Sequence, residues 1–256
     1  MEPIVSIVTV TFNVVGIIRD TIDSVLNQQF DNFEYIIIDG GSTDGTMDII
    51  NAYSSSFSYV ISEPDKGIYD AMNKGVMFAK GDWIIFMNAG DSFVNNKVLS
   101  TLFLDDNINN NVDVIYGDTI VKYPWGTSLL KGRFFTNNDI NLPFCHQSTL
   151  VRTSLMKHTP FDLSYKVASD YNFFYTLYKK GHVFLYCNLS IALYDAIGFS
   201  TERVLETYIE VSRTIGNNHG LNYLLKLCYF RLRTFMIRLI PQFVLDKYRK
   251  HRYTSS

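Results

Sequence analysis

The sequence predicts an α/β fold in which a mostly parallel central sheet carries helices on both faces. Two observations lead to this prediction. Short apolar runs typical of buried strands alternate with segments in which apolar residues recur at spacings of three and four, as on one face of a helix. In addition, three of the first four predicted strands end beside carboxylates, and ligands of such sheets bind at this edge.

The four strands of the first half are predicted at residues 4–10, 35–38, 58–61 and 83–87, with helices between them. Crossovers between parallel strands are right-handed almost without exception, so the four strands should end along one edge of the sheet. That edge would carry a set of polar side chains, namely Asn13, Asp39, Glu63, Asp65, Asn88 and Asp91.

The second half predicts smaller antiparallel elements followed by a helix. A strand is expected at 112–116, a hairpin around residues 124–126, and a further strand at 149–151. The next helix should have an aromatic face and end at Gly181. Asp170 lies in its first turn, where the helix dipole favours a carboxylate.

Composition and charge narrow the class of protein. The 256 residues are 47% hydrophobic and 19% charged, which is typical of a globular chain and argues against disorder. Three cysteines stand far apart, which argues against a zinc site or a disulfide framework and suits a reducing cytoplasm. The N-terminus does not resemble a signal peptide, and no uncharged run reaches the ~18 residues of a membrane-spanning helix.

The charge is unevenly distributed along the chain. Residues 221–256 contain eight Lys or Arg and one acid, which makes this tail +7 and leaves −9 on the first 220 residues. We therefore predict one main domain at 1–220 and a basic amphipathic helical tail at 221–256. The tail helix should end at Pro241, before a basic cluster at 247–252. It either lies on an anionic membrane surface or packs on protein.

Four motifs occur in order along the chain. They are residues 7–13 (IVTVTFN), 39–46 (DGGSTDGT), 63–75 (EPDKGIYDAMNKG) and 88–91 (NAGD). Together they make residues 4–200 resemble family-two glycosyltransferases of the GT-A type. The resemblance implies a Rossmann-like central sheet, small antiparallel elements on the acceptor side, and transfer of a sugar from a nucleotide-diphosphate donor.

The resemblance also implies which residues bind the donor, and that the donor is a UDP-sugar. The donor-binding residues would be Thr11 and Asn13 at the nucleotide, Asp39 at the base, Asp65 and Lys66 over the ribose and diphosphate, and Asp70 and Asn73 facing the sugar. Lys66 in a loop could equally be solvated.

Two further positions would carry the metal and the proton transfer. Asp91 matches the last acid of the family's Asp-x-Asp metal motif, but its first acid is replaced by Asn88, which could offer only an amide oxygen. Asp170 matches the catalytic base. Mg²⁺ or Mn²⁺ is the expected cofactor, because both suit oxygen ligands and a departing diphosphate.

Physical chemistry supports the same reaction. A departing diphosphate needs a cation, and an acceptor hydroxyl needs a carboxylate to take its proton. Two carboxylates would also suit a glycosidase, but the glycine-rich, acidic edge favours nucleotide binding. His146 is a candidate contact for the acceptor or diphosphate, or else simply packed.

We therefore expect a metal-dependent, inverting hexosyl- or hexosaminyltransferase of cell-surface polysaccharide or glycolipid synthesis. The acceptor would be a carbohydrate or a lipid-linked molecule, and no nucleic acid partner is expected. The enzyme would be cytoplasmic and peripheral on the inner face of the plasma membrane. The alternative is an inactive or nucleotide-sugar-binding module of the same fold, for which a base at Asp170 would have no use.

Overall fold

The computed structural model describes residues 2–103, 111–136, 139, 141–195 and 203–239. In the first half, strands and helices alternate as predicted, and the β-branched runs form buried strands. The elements are β1 (Val5–Thr11), α1 (Ile18–Leu26), β2 (Phe33–Asp39), α2 (Thr46–Ala52), a 3₁₀ turn (Ser54–Ser56), β3 (Tyr59–Ser62), α3 (Ile68–Phe78) and β4 (Trp83–Phe86).

The second half contains more strand than the sequence suggested. The strand expected at 112–116 and the first arm of the hairpin form one strand, whose pairing is irregular near Gly117. The elements are β5 (Ser92–Phe93), α4 (Val98–Phe103), β6 (Val114–Tyr123), β7 (Gly126–Leu130), a 3₁₀ turn (His146–Ser148), β8 (Thr149–Arg152), α5 (Thr153–His158), α6 (Ser169–Lys179), β9 (Phe184–Asp195), α7 (Val204–Thr214) and α8 (Leu221–Leu239).

All nine strands of the described chain join one sheet in the order β3-β2-β1-β4-β8-β6-β9-β5, with β7 paired to β6. The pairs β2/β3, β1/β2 and β1/β4 are parallel, as predicted, and β8 runs antiparallel between β4 and β6. The carboxyl ends of β1 to β4 therefore lie at the same edge as the amino end of β8. This arrangement brings the residues after β4 next to the 3₁₀ turn that precedes β8.

The sheet separates two hydrophobic clusters, one on each face. Along β1, Val5 and Ile7 belong to one cluster, whereas Val8 and Val10 belong to the other, because successive side chains of a strand point to opposite faces. Ile22 of α1 packs in the first cluster and Met72 of α3 in the second. Helices on both faces of a mostly parallel sheet confirm the predicted fold class.

The last two described elements are helices, of which the second is the tail helix predicted from residue 221. Tyr208 of α7 stacks on Tyr223 of α8, with ring centroids 5.7 Å apart, and contacts Phe230 at 4.9 Å. Pro241 and the basic cluster at 247–252 lie outside the described residues, and the domain boundary at residue 220 stays a prediction. Among the described helices, none combines the length and apolar character needed to cross a membrane.

Candidate active site

Asp39, at the carboxyl end of β2, organises the loops at the edge of the sheet. Its Oδ2 accepts hydrogen bonds from the backbone N–H groups of Gly41 (3.0 Å) and Ser42 (2.9 Å) and from the hydroxyl of Ser62 (2.6 Å). Its Oδ1 accepts from the Ser42 hydroxyl at 2.5 Å and lies 3.5 Å from Thr11 Oγ1. Burial acts to raise the pKa of Asp39, but these donors hold it below its ordinary value.

The residues after β1 are connected to the same loop. Asn13 adopts a left-handed backbone, with φ of 52°, and its Oδ1 accepts a hydrogen bond from the N–H of Thr43 at 2.9 Å. The Asn13 N–H in turn donates to the hydroxyl of Ser42 at 2.8 Å. Phe12, between Thr11 and Asn13, leaves 60% of its surface exposed. Asp39 is fully buried, so Phe12 and Asn13 are the more accessible groups at this part of the edge.

The turn after β3 places its acids next to the loop of Asp39. Asp65 accepts a hydrogen bond from the N–H of Gly67 (2.7 Å), and Asp70 accepts one from the N–H of Lys66 (2.9 Å). A Cβ atom added to Gly40 would lie only 2.5 Å from Asp65 Oδ2, so the chain needs glycine there. The Lys66 side chain is exposed.

Asn73 of α3 connects the two halves of the molecule. Its Nδ2 donates to the carbonyl of Phe161 and its Oδ1 accepts from the N–H of the same residue, both at 2.9 Å. The amide is therefore used within the fold, and its predicted contact with the sugar stays a prediction.

Asp170 receives one partner on each carboxylate oxygen. The hydroxyl of Tyr69 lies 2.9 Å from Oδ1, and Nδ1 of His146 lies 3.4 Å from Oδ2. Burial acts to raise the pKa of Asp170, but His146 and Tyr69 outweigh it, and the pKa lies below its ordinary value. The carboxylate is therefore ionised at neutral pH and can accept a proton.

His146 connects Asp170 to the residues after β4. Its Nε2 lies 3.5 Å from Nδ2 of Asn88. An imidazole with its proton on Nδ1 satisfies both contacts, because it donates to Asp170 and accepts from Asn88. In this arrangement the Asn88 amide has its oxygen turned away from the ring. Asn88 Oδ1 is buried and has no hydrogen-bond partner.

Asp91, three residues after Asn88, is a second buried polar group at this position. Burial raises the pKa of its carboxyl to about 7, although the nearby His146 and a hydrogen bond with Gln147 act to lower it. A buried carboxylate and a buried amide oxygen without a donor are both relieved by a hard divalent cation. The residues present therefore fit Mg²⁺ or Mn²⁺.

The side chains that the structure describes do not by themselves complete a metal site. Within the described residues, no three His, Cys, Asp or Glu side chains are grouped so that they could hold a metal ion. Further ligands would have to come from the substrate or water, as is usual for Mg²⁺ bound beside phosphates.

Two residues that support Asp170 were missed from the sequence. Tyr69 lies in the motif EPDKGIYDAMNKG, but its hydroxyl reaches across the molecule to Asp170 and to the carbonyl of Val167 (2.8 Å). Glu210 of α7 accepts hydrogen bonds from the backbone N–H groups of residues 166, 167 and 168, at 2.7 to 2.9 Å. Neither contact leaves a local pattern in the sequence, because each joins segments far apart in the chain.

Comparison with known proteins shows which family this chain belongs to. The family model described as "Glycosyl transferase family 2" matches residues 6–163. A protein of Mycobacterium tuberculosis named "PGL/p-HBAD biosynthesis glycosyltransferase" is 30% identical over 212 residues, which is 80% of this chain and 81% of that protein.

Solved structures share the fold. Staphylococcus aureus TarS, residues 1–349 in complex with UDP-GlcNAc, superposes with a TM-score of 0.67 at 21% identity, over 88% of this chain and 69% of that one. Glucosyl-3-phosphoglycerate synthase from M. tuberculosis, in complex with Mn²⁺ and UDP, gives a TM-score of 0.59 at 14% identity, over 84% of this chain and 80% of that one.

The fold and the acidic edge define a glycosyltransferase of the GT-A type. The family match covers more than half of the chain, and the relative matches most of it. The chain belongs to glycosyl transferase family 2.

The raised pKa of Asp91 predicts a pH-dependent effect on stability. Between about pH 4 and pH 7, Asp91 ionises in the unfolded chain but keeps its proton in the folded chain, so stability falls as the pH rises through this window. The full cost, reached above pH 7, is on the order of 4 kcal/mol. The substitution Asp91→Asn should therefore raise the melting temperature of the ligand-free protein at pH 8.

The difference in melting temperature between Asp91→Asn and wild type should shrink as the pH is lowered. It should disappear near pH 4, where Asp91 is protonated in both the folded and the unfolded chain. Melting curves in chelator test it, since chelator keeps divalent cations from pairing with the carboxylate. Asp31→Asn is a matched control, because the Asp31 side chain is exposed. Equal melting temperatures of wild type and Asp91→Asn at pH 8 would contradict the prediction.

Proposed function

We propose that the protein transfers a sugar from a nucleotide-diphosphate donor, a UDP-sugar, to an acceptor hydroxyl with inversion at the anomeric carbon. The observation that carries this proposal is the chain of contacts from Asp170 through His146 to Asn88, beside buried Asp91. It joins a group that can take a proton to a group that can hold a cation. Glycosyl transfer needs both.

Asp170 acts as the general base in this proposal. The acceptor oxygen bonds to the anomeric carbon while the bond from that carbon to the diphosphate oxygen breaks, and the acceptor's proton passes to Asp170. Tyr69 and His146 each hold one carboxylate oxygen, so the base is oriented before the acceptor arrives. A single displacement of this kind inverts the anomeric centre.

Asp91 and Asn88 Oδ1 would hold the divalent cation. When bound, Mg²⁺ or Mn²⁺ neutralises the charge that develops on the departing diphosphate. The chain contributes a position for the ion that is largely shielded from bulk solvent, because both side chains are buried. Mn²⁺ in the structures of M. tuberculosis glucosyl-3-phosphoglycerate synthase and of the Pyrobaculum calidifontis mannosyltransferase supports this part of the proposal.

The nucleotide would lie at the loops held by Asp39. Thr11, Asn13 and Asp65 surround that position, and Lys66 is exposed close by for the diphosphate. The exposed ring of Phe12 offers a face on which a base can stack. Asp39 is fully buried, so it would contact a base N–H only after its loop moves. Whether or not it contacts the base directly, its hydrogen bonds fix the loop on which the base would lie.

The acceptor in this proposal is a carbohydrate or a lipid-linked molecule of cell-surface polysaccharide or glycolipid synthesis. The name of the M. tuberculosis relative, which refers to PGL/p-HBAD biosynthesis, supports this placement. We further propose that the enzyme works on the inner face of the plasma membrane.

Replacement of the base should abolish transfer without abolishing donor binding. Asp170→Asn keeps an oxygen for Tyr69 but cannot take the acceptor's proton, so the transfer rate should fall by about 10²- to 10⁴-fold. The affinity for the nucleotide diphosphate, measured by calorimetry, should stay within a few fold. NMR of the wild-type product should show the inverted anomer.

Asp162→Asn is the matched control, because this exposed carboxylate lies in the loop before α6 and should leave the rate unchanged. Transfer by Asp170→Asn at the wild-type rate would place the base elsewhere. A wild-type protein that binds nucleotide sugars but turns over none of them would favour the alternative of a binding module.

Asn88→Asp should tighten metal binding. The substitution puts a carboxylate where the buried, unpartnered amide oxygen now lies, and anionic oxygen binds Mn²⁺ more strongly than an amide does. Titration of Mn²⁺ in the presence of UDP should show the change. Asn95→Asp, at an exposed position, controls for the added charge. Equal Mn²⁺ affinities of wild type and Asn88→Asp would show that residue 88 does not face the ion.

Donor choice can be tested with a panel of nucleotide sugars by measuring the nucleoside diphosphate released. We expect UDP-sugars to be turned over in the presence of Mg²⁺ or Mn²⁺ and not in excess chelator. The UDP and UDP-GlcNAc complexes of TarS support uridine as the base. A preference for GDP- or ADP-sugars would refute that choice, and full activity in chelator would refute the metal.

A further inference from the structure

Helix α8 has two chemically different faces. Tyr223 and Phe230, seven residues apart, face α7 and pack on Tyr208. The opposite face is a stripe of apolar side chains at spacings of three and four, each between 50% and 72% exposed. We call it the leucine face; its members are Leu221, Leu224, Leu225, Tyr229, Leu232 and Met236.

The leucine face is too large to be an ordinary surface feature. At about 1.5 Å per residue it extends for about 22 Å along the helix. Contiguous exposed apolar surface of this extent normally marks an interaction site, because isolated exposed side chains are common but continuous stripes are not. Within the described part of the chain, α8 packs on α7 through the other side of the helix, and the side chains of this face stay at least half exposed.

Cations border the leucine face on both sides. With about 3.6 residues per turn, Lys226 and Arg233 lie along one border and Arg231 along the other. The helix contains no Asp or Glu. Two copies of α8 packed through their leucine faces would bring these cations together without any acid on either helix to offset them. An anionic lipid surface satisfies every one of them.

We infer that α8 lies in the interface of an anionic membrane, with its leucine face among the acyl chains and its bordering cations on the headgroups. The aromatic side of the helix stays on α7, so the helix lies along the membrane while α7 and the central sheet remain outside it. The inference shares the membrane placement proposed above but does not depend on the reaction, because vesicle binding needs neither donor nor acceptor.

Vesicle flotation of the full chain tests this inference. Wild type should float with vesicles that contain phosphatidylserine and much less with vesicles of phosphatidylcholine alone. Leu225→Glu/Leu232→Glu should bind at least tenfold more weakly, since it places charge in the apolar layer. Lys226→Gln/Arg231→Gln should weaken binding to the anionic vesicles by about fivefold for each charge removed.

Leu129→Glu/Leu130→Glu is the matched control, because these two leucines of β7 are also about half exposed but lie on a different surface. It should float like wild type. Circular dichroism and the melting temperature show that each variant is folded, independently of any activity.

Three outcomes would overturn the inference. The first is a wild type that does not float, and the second is a Leu225→Glu/Leu232→Glu variant that floats as well as wild type. The third is a wild-type dimer that the leucine variant converts to a monomer while flotation is unchanged, which would assign the leucine face to a second copy of the chain.

Discussion

The contacts that α3 makes with residues 161–170 fix the positions of the two halves of this molecule relative to each other. Tyr69 reaches Asp170 and the Val167 carbonyl, and one turn further along the helix Asn73 pairs twice with the backbone of Phe161. Tyr69 is almost fully buried, and its ring packs on Phe161 at 5.3 Å. The helix that follows the donor-side turn therefore also fixes the position of the proposed base.

The polar groups of the site are held before any ligand arrives. Asp39 accepts four hydrogen bonds of 3.0 Å or less from its own loops. This carboxylate holds the glycine-rich loop in place, because it accepts from two backbone N–H groups of that loop and from the Ser42 hydroxyl. Among the described residues of the site, Asn88 Oδ1 is buried without a hydrogen-bond donor, and burial makes the ionised form of Asp91 costly.

The sequence was sufficient for the parallel half of the fold, because its strands are buried on both faces and its helices follow a clear period. It also placed Asn88, Asp91, His146 and Asp170, which the structure brings together. It failed for β9, whose residues are mostly half-buried and show no alternation. The roles of Tyr69 and Glu210 could not be predicted, because such contacts depend on how distant segments pack.

Glu210 has a consequence for how an acceptor could be reached. It ties α7 to the three backbone N–H groups just before α6, while Tyr208 of the same helix carries α8. Helix α8 is therefore connected through α7 to the segment that precedes Asp170, and this connection fixes the distance between the leucine face and Asp170. If a membrane binds α8, an acceptor hydroxyl anchored in that membrane would reach the carboxylate only at one distance from the membrane surface. The length of the acceptor between its membrane anchor and its hydroxyl would then contribute to acceptor selection, in addition to any contact with its sugar.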